Sequence, residues 1–313
     1  MNCARPIRLR DFVVDQDGWI YAVSTYDNAD RVGCVLRYIP DPRGERSDRD
    51  GNRYRKLEFE EAYALIADQK PDYVGPVHRV PVANICEVLK PEVRMPAIAA
   101  SHPRVQDLMS VLCVQEGSIG CTGSLLCGLD IGSSDIDLVV YGSAWFRAQE
   151  TLHDAIRDGR IEDLTDEMWE RVYRKRQPEI PFSDFVLHER RKWNRGQIGG
   201  TYFDLLYTRA YEDLDRIAIG KGEVLGKMTI EARVTDASFS FDNPAIYSVD
   251  HEEISRVLSF THTSSGQALS GEVIEARGVA EQHGSERWLI IGTTRVAKGE
   301  YIVSRTLLST GSE

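Results

Sequence analysis

Residues Cys121–Tyr141 read CTGSLLCGLDIGSSDIDLVVY, and everything else in the chain is interpreted outward from them. The second half, SDIDLVVY (Ser134–Tyr141), alternates and then turns wholly apolar, the pattern of a strand that runs into a core. Alternate residues of a strand share a face, so Asp135 and Asp137 point one way. Ile136 and Leu138 point the other, into a core that Val139 and Val140 extend. Two carboxylates side by side repel each other, and a hard divalent cation with oxygen ligands relieves that repulsion. Gly123-Ser124 stand eleven residues before Asp135. Glycine lets backbone approach a phosphate closely, and the serine hydroxyl and neighbouring N–H groups donate to its oxygens. One loop thus combines a phosphate cradle with a cation-holding pair, the minimum equipment for Mg²⁺-assisted displacement on a nucleoside triphosphate.

The flanking segments predict a compact mixed α/β domain. PRVQDLMSVLCVQEG is a helix with Pro103 at its start and apolar residues at Val105, Leu108, Met109 and Leu112. IGCTGS is a short strand and turn. After the SDIDLVVYG strand, Ser143 can cap a helix beginning AWFRAQETLHDAIRDG. TDEMWERVYRKRQ and PFSDFVLHERRKWNRG are two more helices, and GGTYFDLLYT (199–208) returns to strand. Asp204 interrupts that apolar strand, where a charge is seldom tolerated without a partner such as a metal.

Upstream, DFVV, WIYAVSTY and VGCVLRYI are β-rich runs split by Asp-Gly and Asp-Asn turns. The polar segment 40–56 reads as a loop and LEFEEAYALIADQ (57–69) as an amphipathic helix. A strand-like PVHRVPVANICEVL and a Pro-punctuated link lead to about residue 100. Downstream of GKGE (220–223), MTIEARVTDASFSF, AIYSV, SGEVIEARGVAEQ, RWLIIGTTRV and EYIVSRTLL alternate between turns. The expected fold class is α+β. A small N-terminal α+β accessory domain and linker occupies 1–100, the central mixed α/β domain 101–220, and a small OB-like β-barrel 221–313.

Composition narrows the function. The net charge of −11 argues against a chain that coats nucleic acid non-specifically, while leaving room for local basic patches. No apolar stretch is long enough to cross a bilayer and the N-terminus has no apolar signal core, so a cytoplasmic protein without membrane partners is expected. Cys3, Cys34, Cys86, Cys113, Cys121 and Cys127 include no CxxC pair and read as reduced, mostly buried thiols. The seven histidines are scattered, and no GxSxG, HExxH or P-loop occurs.

Gly-Ser, ten residues, then Asp-Ile-Asp-Leu resembles the defining motif of the DNA polymerase β nucleotidyltransferase superfamily. The motif spans Gly123 to Leu138, and the whole chain also resembles uncharacterised archaeal proteins predicted to be nucleotidyltransferases. The resemblance implies transfer of a nucleoside monophosphate from a triphosphate such as ATP to an acceptor hydroxyl, with release of pyrophosphate. Asp135 and Asp137 would then hold two Mg²⁺ ions, with Mn²⁺ as a substitute, and Asp204 would be the third carboxylate of catalysis and metal binding. Gly123 and Ser124 would meet the nucleotide. Many relatives carry a basic residue soon after Gly-Ser, where this chain has Leu125, Leu126 and Cys127. The replacement expected here is the basic side of a helix bearing Arg190, Arg191, Lys192 and Arg195, with Arg174, Lys175 and Arg176 as a second group; a merely solvated basic face is the bland reading. Acceptors include RNA, held by the β domain, as well as protein hydroxyls and small molecules. The alternative function is a non-catalytic nucleotide- or RNA-binding protein on a degenerate transferase fold.

Overall fold

The alternation in the N-terminal third folds as an antiparallel meander of β1 (Phe12–Asp15), β2 (Ile20–Val23) and β3 (Arg31–Pro40). The computed structural model describes residues 5–215, 220, 222–294 and 298–310; Cys3 and part of the expected boundary at 220–223 lie outside the described residues. The segment expected as a loop carries a hairpin, β4 (Arg46–Ser47) and β5 (Arg53–Lys56), closed by an Asp-Arg-Asp-Gly turn. Asp48 Oδ1 accepts from the Asp50 and Asn52 N–H groups, and Gly51 takes φ +83°. Short polar strands lack the apolar alternation that marks a strand in sequence, so only the turn chemistry announced this one.

Helix α1 (Phe59–Gln69) covers one face of the sheet, burying Ala62 and Ile66 against Val13, Tyr21, Val32 and Leu36. Strands β6 (His78–Pro81) and β7 (Ile85–Leu89) pair with β3 and β1. The opposite face presents Phe12, Ile20, Tyr38 and Leu89. The expected linker to residue 100 is instead helix α2 (Pro91–Ser101). Pro91 lies in its first turn, where a missing N–H leaves no helical bond unmade, whereas Pro96 lies inside the helix and removes one.

Helix α3 (Pro103–Leu112) leads to β8 (Ile119–Cys121), the five-residue helix α4 (Gly123–Cys127) and β9 (Ile136–Tyr141). Helices α5 (Ala144–Arg157), α6 (Asp166–Arg176) and α7 (Phe182–Arg191) precede β10 (Arg195–Ile198) and β11 (Thr201–Thr208). The sheet runs β10-β11-β9-β8, with β9 and β11 parallel and the other pairs antiparallel. Gly120 on β8 admits α2 closely, because a Cβ there would meet the Pro91 backbone carbon at 2.5 Å. Leu126 and Leu129 join Phe12, Ile20, Tyr38 and Leu89 in one buried cluster. Met1–Asp163 and Asn194–Leu214 accordingly group as one compact unit, and Leu164–Trp193 with Asp215–Glu313 as a second.

Within the second unit, Trp169 of α6 and Phe185 of α7 meet edge to face with centroids 6.5 Å apart, and Thr165 caps α6 by accepting from the Met168 N–H. Its sheet comprises β12 (Glu223–Phe239), β13 (Ala245–Asp250), β14 (Arg256–Ser259), β15 (Val273–His283), β16 (Glu286–Ile291) and β17 (Tyr301–Ser304), with α8 (Arg305–Thr310) following. β12 pairs with both β13 and β15, and β14 runs parallel to β16. The inner side chains, including Val234, Tyr247, Ile274 and Leu289, form one core. The described residues thus form a mixed α+β fold, and none of their helices is long and apolar enough to cross a membrane.

His188 fixes α7 to β17 in a protonation-dependent way. Its Nε2 accepts from the Ser304 N–H at 2.9 Å while Nδ1–H donates to the Asp184 carbonyl at 2.7 Å. Burial, with smaller contributions from Lys192 and Arg191, lowers its pKa from 6.5 to about 4. A folded-state pKa below the unfolded value means stability is complete above pH 6.5 and is lost as pH falls toward 4, at ~1.4 kcal/mol per pH unit. Melting followed from pH 7 to 5 is expected to show the second unit losing stability with this slope, and His188→Gln to flatten it. An unchanged slope in the variant would reassign the acid sensitivity.

Candidate active site

β9 and β11 are aligned so that Asp137 sits directly beside Asp204. Neighbouring strands lie about 4.8 Å apart, so the two carboxylates occupy adjacent positions on the same face of the sheet. Burial alternates as the sequence requires. Phe203, Leu205, Ile136 and Leu138 are buried, whereas Asp137 and Asp204 are half-exposed and Asp135, just before β9, is exposed. Asp135 and Asp137 share that open face by strand parity.

The Gly-Ser element is built against this pair. The Thr122 N–H donates to the Asp137 carbonyl at 2.9 Å, which carries Gly123 to the Asp137 side chain. A Cβ on Gly123 would lie 2.5 Å from Asp137 Oδ2, and Gly123 adopts φ +69°. The left-handed φ favours glycine here, and a Cβ would push the Asp137 carboxylate aside. Gly123→Ala is expected to displace the Asp137 carboxylate and lower turnover by about 10²-fold, for a stability cost of about 1 kcal/mol. Paired rate and melting measurements check this; a fully active Ala variant would show that contact to be dispensable. Ser124 and Gly123 themselves are half-exposed, on the side where the carboxylates open.

The basic residues assigned to α7 need correction. Helix α7 ends at Arg191, Trp193 takes φ +44°, and Arg195 stands on β10 opposite Asp204. Its Nε lies 3.5 Å from Asp204 Oδ1, and the side chain is only 5% exposed. Lys192 is buried and pairs with Glu189, donating also to the Thr263 carbonyl. Arg191 pairs with Glu272 at 2.5 Å and Arg190 with Asp166 at 2.9 Å. Arg191 and Lys192 are thus partnered within the protein, while Arg190 and Asp166 form an exposed pair. Arg195 is paired with β11, the strand that carries Asp204.

Leu125 and Leu126, at the positions after Gly-Ser where the resemblance would place a basic residue, are buried, Leu126 in the cluster with Phe12 and Leu89. The side chains after Gly-Ser therefore serve packing. Two contacts reach this segment from the N-terminal region. Arg46 Nη1 donates to the Leu129 carbonyl at 3.1 Å and to Ser134 Oγ at 3.4 Å. The Arg10 carbonyl accepts from Thr122 Oγ1 at 2.7 Å. Tyr38 is pushed up to about 12 by burial, with Arg46 and Asp137 both among the charges that act on it. Sequence reading missed these contacts because their partners lie 83 to 112 residues away. The thiols are mixed: Cys34 and Cys121 are buried, Cys86 and Cys113 exposed, and all five described cysteines are free.

Among the described residues no three His, Cys, Asp or Glu side chains gather as a ready metal-holding group. Mg²⁺ is commonly held by one or two carboxylates together with substrate phosphates and waters, and Asp135 with Asp137 fit that smaller donor set. Asp204 Oδ1 is buried and accepts no hydrogen bond, its charge being met by Arg195.

No family model matches the chain, and no solved structure matches it. It is 33% identical to the uncharacterized protein MJ1086 of Methanocaldococcus jannaschii over a 334-residue alignment that covers 95% of this chain and 98% of that protein. With that identity sustained across nearly the whole of both chains, the protein belongs to the same family as MJ1086.

Proposed function

We propose that the protein is a cytoplasmic nucleotidyltransferase of the DNA polymerase β type, which moves a nucleoside monophosphate from a triphosphate to an acceptor hydroxyl. The observation that carries this reading is the alignment of Asp137 with Asp204 on parallel strands, with Gly123 seated against the Asp137 carboxylate. Carboxylates so placed have a chemical use only toward a cation or a proton. Asp135 and Asp137 would hold Mg²⁺ or Mn²⁺, which when bound neutralises phosphate charge and makes the acceptor hydroxyl more acidic. In this reading Asp204, paired with Arg195, would accept the hydroxyl proton. The Ser124 hydroxyl and adjoining N–H groups donate to phosphate oxygens, and positioning contributes most of the rate.

The acceptor belongs to the C-terminal sheet in this reading. The order of pairings β12–β13–β14–β16–β15–β12, with one parallel pair, supports an OB-like barrel, a form that commonly holds single-stranded nucleic acid. RNA is the acceptor this favours. The second reading, a nucleotide- or RNA-binding protein without chemistry, draws on the Arg195–Asp204 ion pair, which already satisfies the third carboxylate's charge.

Melting in the presence of ligand tests nucleotide binding. Mg²⁺ with ATP, or with each other nucleoside triphosphate in turn, is expected to raise the melting temperature by mass action, about 2.7 kcal/mol at a hundredfold excess over Kd. Chelator should reverse the rise and Asp135→Asn should remove it. An equal rise in Asp135→Asn would place the nucleotide elsewhere.

A further inference from the structure

We propose that Arg46, a residue of the N-terminal sheet, is a positioning residue of the candidate active site: it ties together the two ends of the 129–134 loop and thereby fixes the entry of Asp135 into β9. This rests on Asp135 being a site carboxylate, as proposed above. The loop that joins Gly-Ser to Asp135 is Leu129-Asp-Ile-Gly-Ser-Ser134; Leu129 is buried with Phe12 and Ile20, the Leu129 N–H donates to the Ser124 carbonyl, and Asp130 lies 4.0 Å from His102, while residues 131–134 close on themselves. The Ser134 N–H donates to the Ile131 carbonyl at 2.8 Å, and the Ile131 N–H donates to Ser134 Oγ at 2.9 Å. With Leu129 buried, the freedom left to this turn is at its Ser134 end.

Arg46 removes that freedom. Nη1 reaches the Leu129 carbonyl at 3.1 Å, where the loop begins, and Ser134 Oγ at 3.4 Å, next to Asp135. The planar guanidinium suits two acceptors held in fixed directions, which an ammonium on a flexible stem does not. Arg46 is itself held firmly. Its side chain is 11% exposed, and its neighbour across the hairpin, Tyr54, packs on the cluster that contains Leu126 and Leu129. Gly44 abuts the Tyr54 backbone so closely that a Cβ would lie 2.2 Å from the Tyr54 carbonyl carbon and oxygen. The Arg53 Nε donates to the Gly44 carbonyl at 2.8 Å, which closes the base of the hairpin. The Arg10 carbonyl grips Thr122 at the other end of the motif. Arg46 of β4 and the turn residue Arg10 therefore hold the Thr122 to Asp135 segment near both its ends.

Hydrogen–deuterium exchange of the full chain, without any ligand, reads the positioning directly. In Arg46→Gln the amides of residues 129–135 are expected to exchange about tenfold faster, with β8 and β9 protected as in wild type; Arg46→Lys, which keeps the charge but not the planar guanidinium, should fall between. Nucleotide turnover reads its consequence: kcat should fall about tenfold in Arg46→Gln with KM for the triphosphate changed less than about threefold, because a displaced Asp135 affects the reacting geometry. If Arg46→Gln loosens β8 and β9 as well, the Lys variant, which keeps the fold cation, decides on the same loop amides. Wild-type exchange in the loop of both variants overturns the proposal, as does a loosened loop with unchanged kcat. If the wild-type protein transfers no nucleotide, the functional reading fails, and the exchange rates alone then decide whether Arg46 fixes the loop.

Discussion

Asp137→Ala is expected to transfer nucleotide at about a thousandth of the wild-type rate or less, and Asp135→Ala to lose a comparable factor. Asp137 is the residue on which the site converges: its backbone carbonyl takes the Thr122 N–H, its carboxylate rests on Gly123, and its strand neighbour is Asp204. The same substitutions should leave the melting temperature unchanged or slightly higher. Like charges on one open strand face oppose folding, and losing one of them relieves the repulsion. Catalytic loss without stability loss separates a site carboxylate from a structural one. Turnover retained in folded Asp137→Ala would remove this residue from the chemistry.

The largest stability effect is expected far from the carboxylates, at Arg8. Its guanidinium is buried, lies 3.1 Å from Glu92 Oε1, and stacks over the rings of Tyr141 and Tyr211 at 3.6 and 3.8 Å. Both tyrosine hydroxyls also donate to Glu92, each at 2.9 Å. Burial works to raise the Glu92 carboxyl, but Arg8 and these hydrogen bonds outweigh it and hold the group below its ordinary value. Arg8→Met strands a buried carboxylate beside only the exposed Arg5, which stands 3.5 Å away. Removing one partner of a buried pair costs about 3–5 kcal/mol, which corresponds to a melting temperature lower by roughly 10 °C. Adding Glu92→Gln to Arg8→Met should recover part of that loss, since the stranded charge is then gone. A single variant as stable as wild type would show the network to be marginal.

The site was legible where its chemistry is local. Asp135, Asp137 and Gly123 are bound by strand parity and close spacing, and Asp204 showed itself as a charge within apolar residues of β11. The register that sets Asp137 beside Asp204 is a tertiary choice between strands far apart in the chain, and no local pattern encodes it. Arg195 looked helical because it follows the basic run Arg190–Lys192 after only two residues, whereas Trp193 at φ +44° turns the chain out of the helix before it. Arg46 was hidden in a segment whose polarity reads as loop. Leu126 raised the opposite difficulty: its apolar character was plain, but the surface it covers, on Phe12, Ile20 and Leu89, comes from the N-terminal sheet. In the C-terminal region the long alternating strands were readable, while β14, four residues between turns, is too short to show a period.

Transfer of label from α-labelled nucleoside triphosphates is the most direct test of the central claim. The wild-type protein is incubated with each triphosphate in turn, with Mg²⁺ or Mn²⁺, alone and with total RNA, and the products are resolved by size. The account predicts label joined covalently to an acceptor, pyrophosphate released in equal amount, and both abolished by chelator and by Asp137→Ala. Metal-dependent nucleotide binding with no covalent label under any of these conditions would contradict it and leave the protein a binding module.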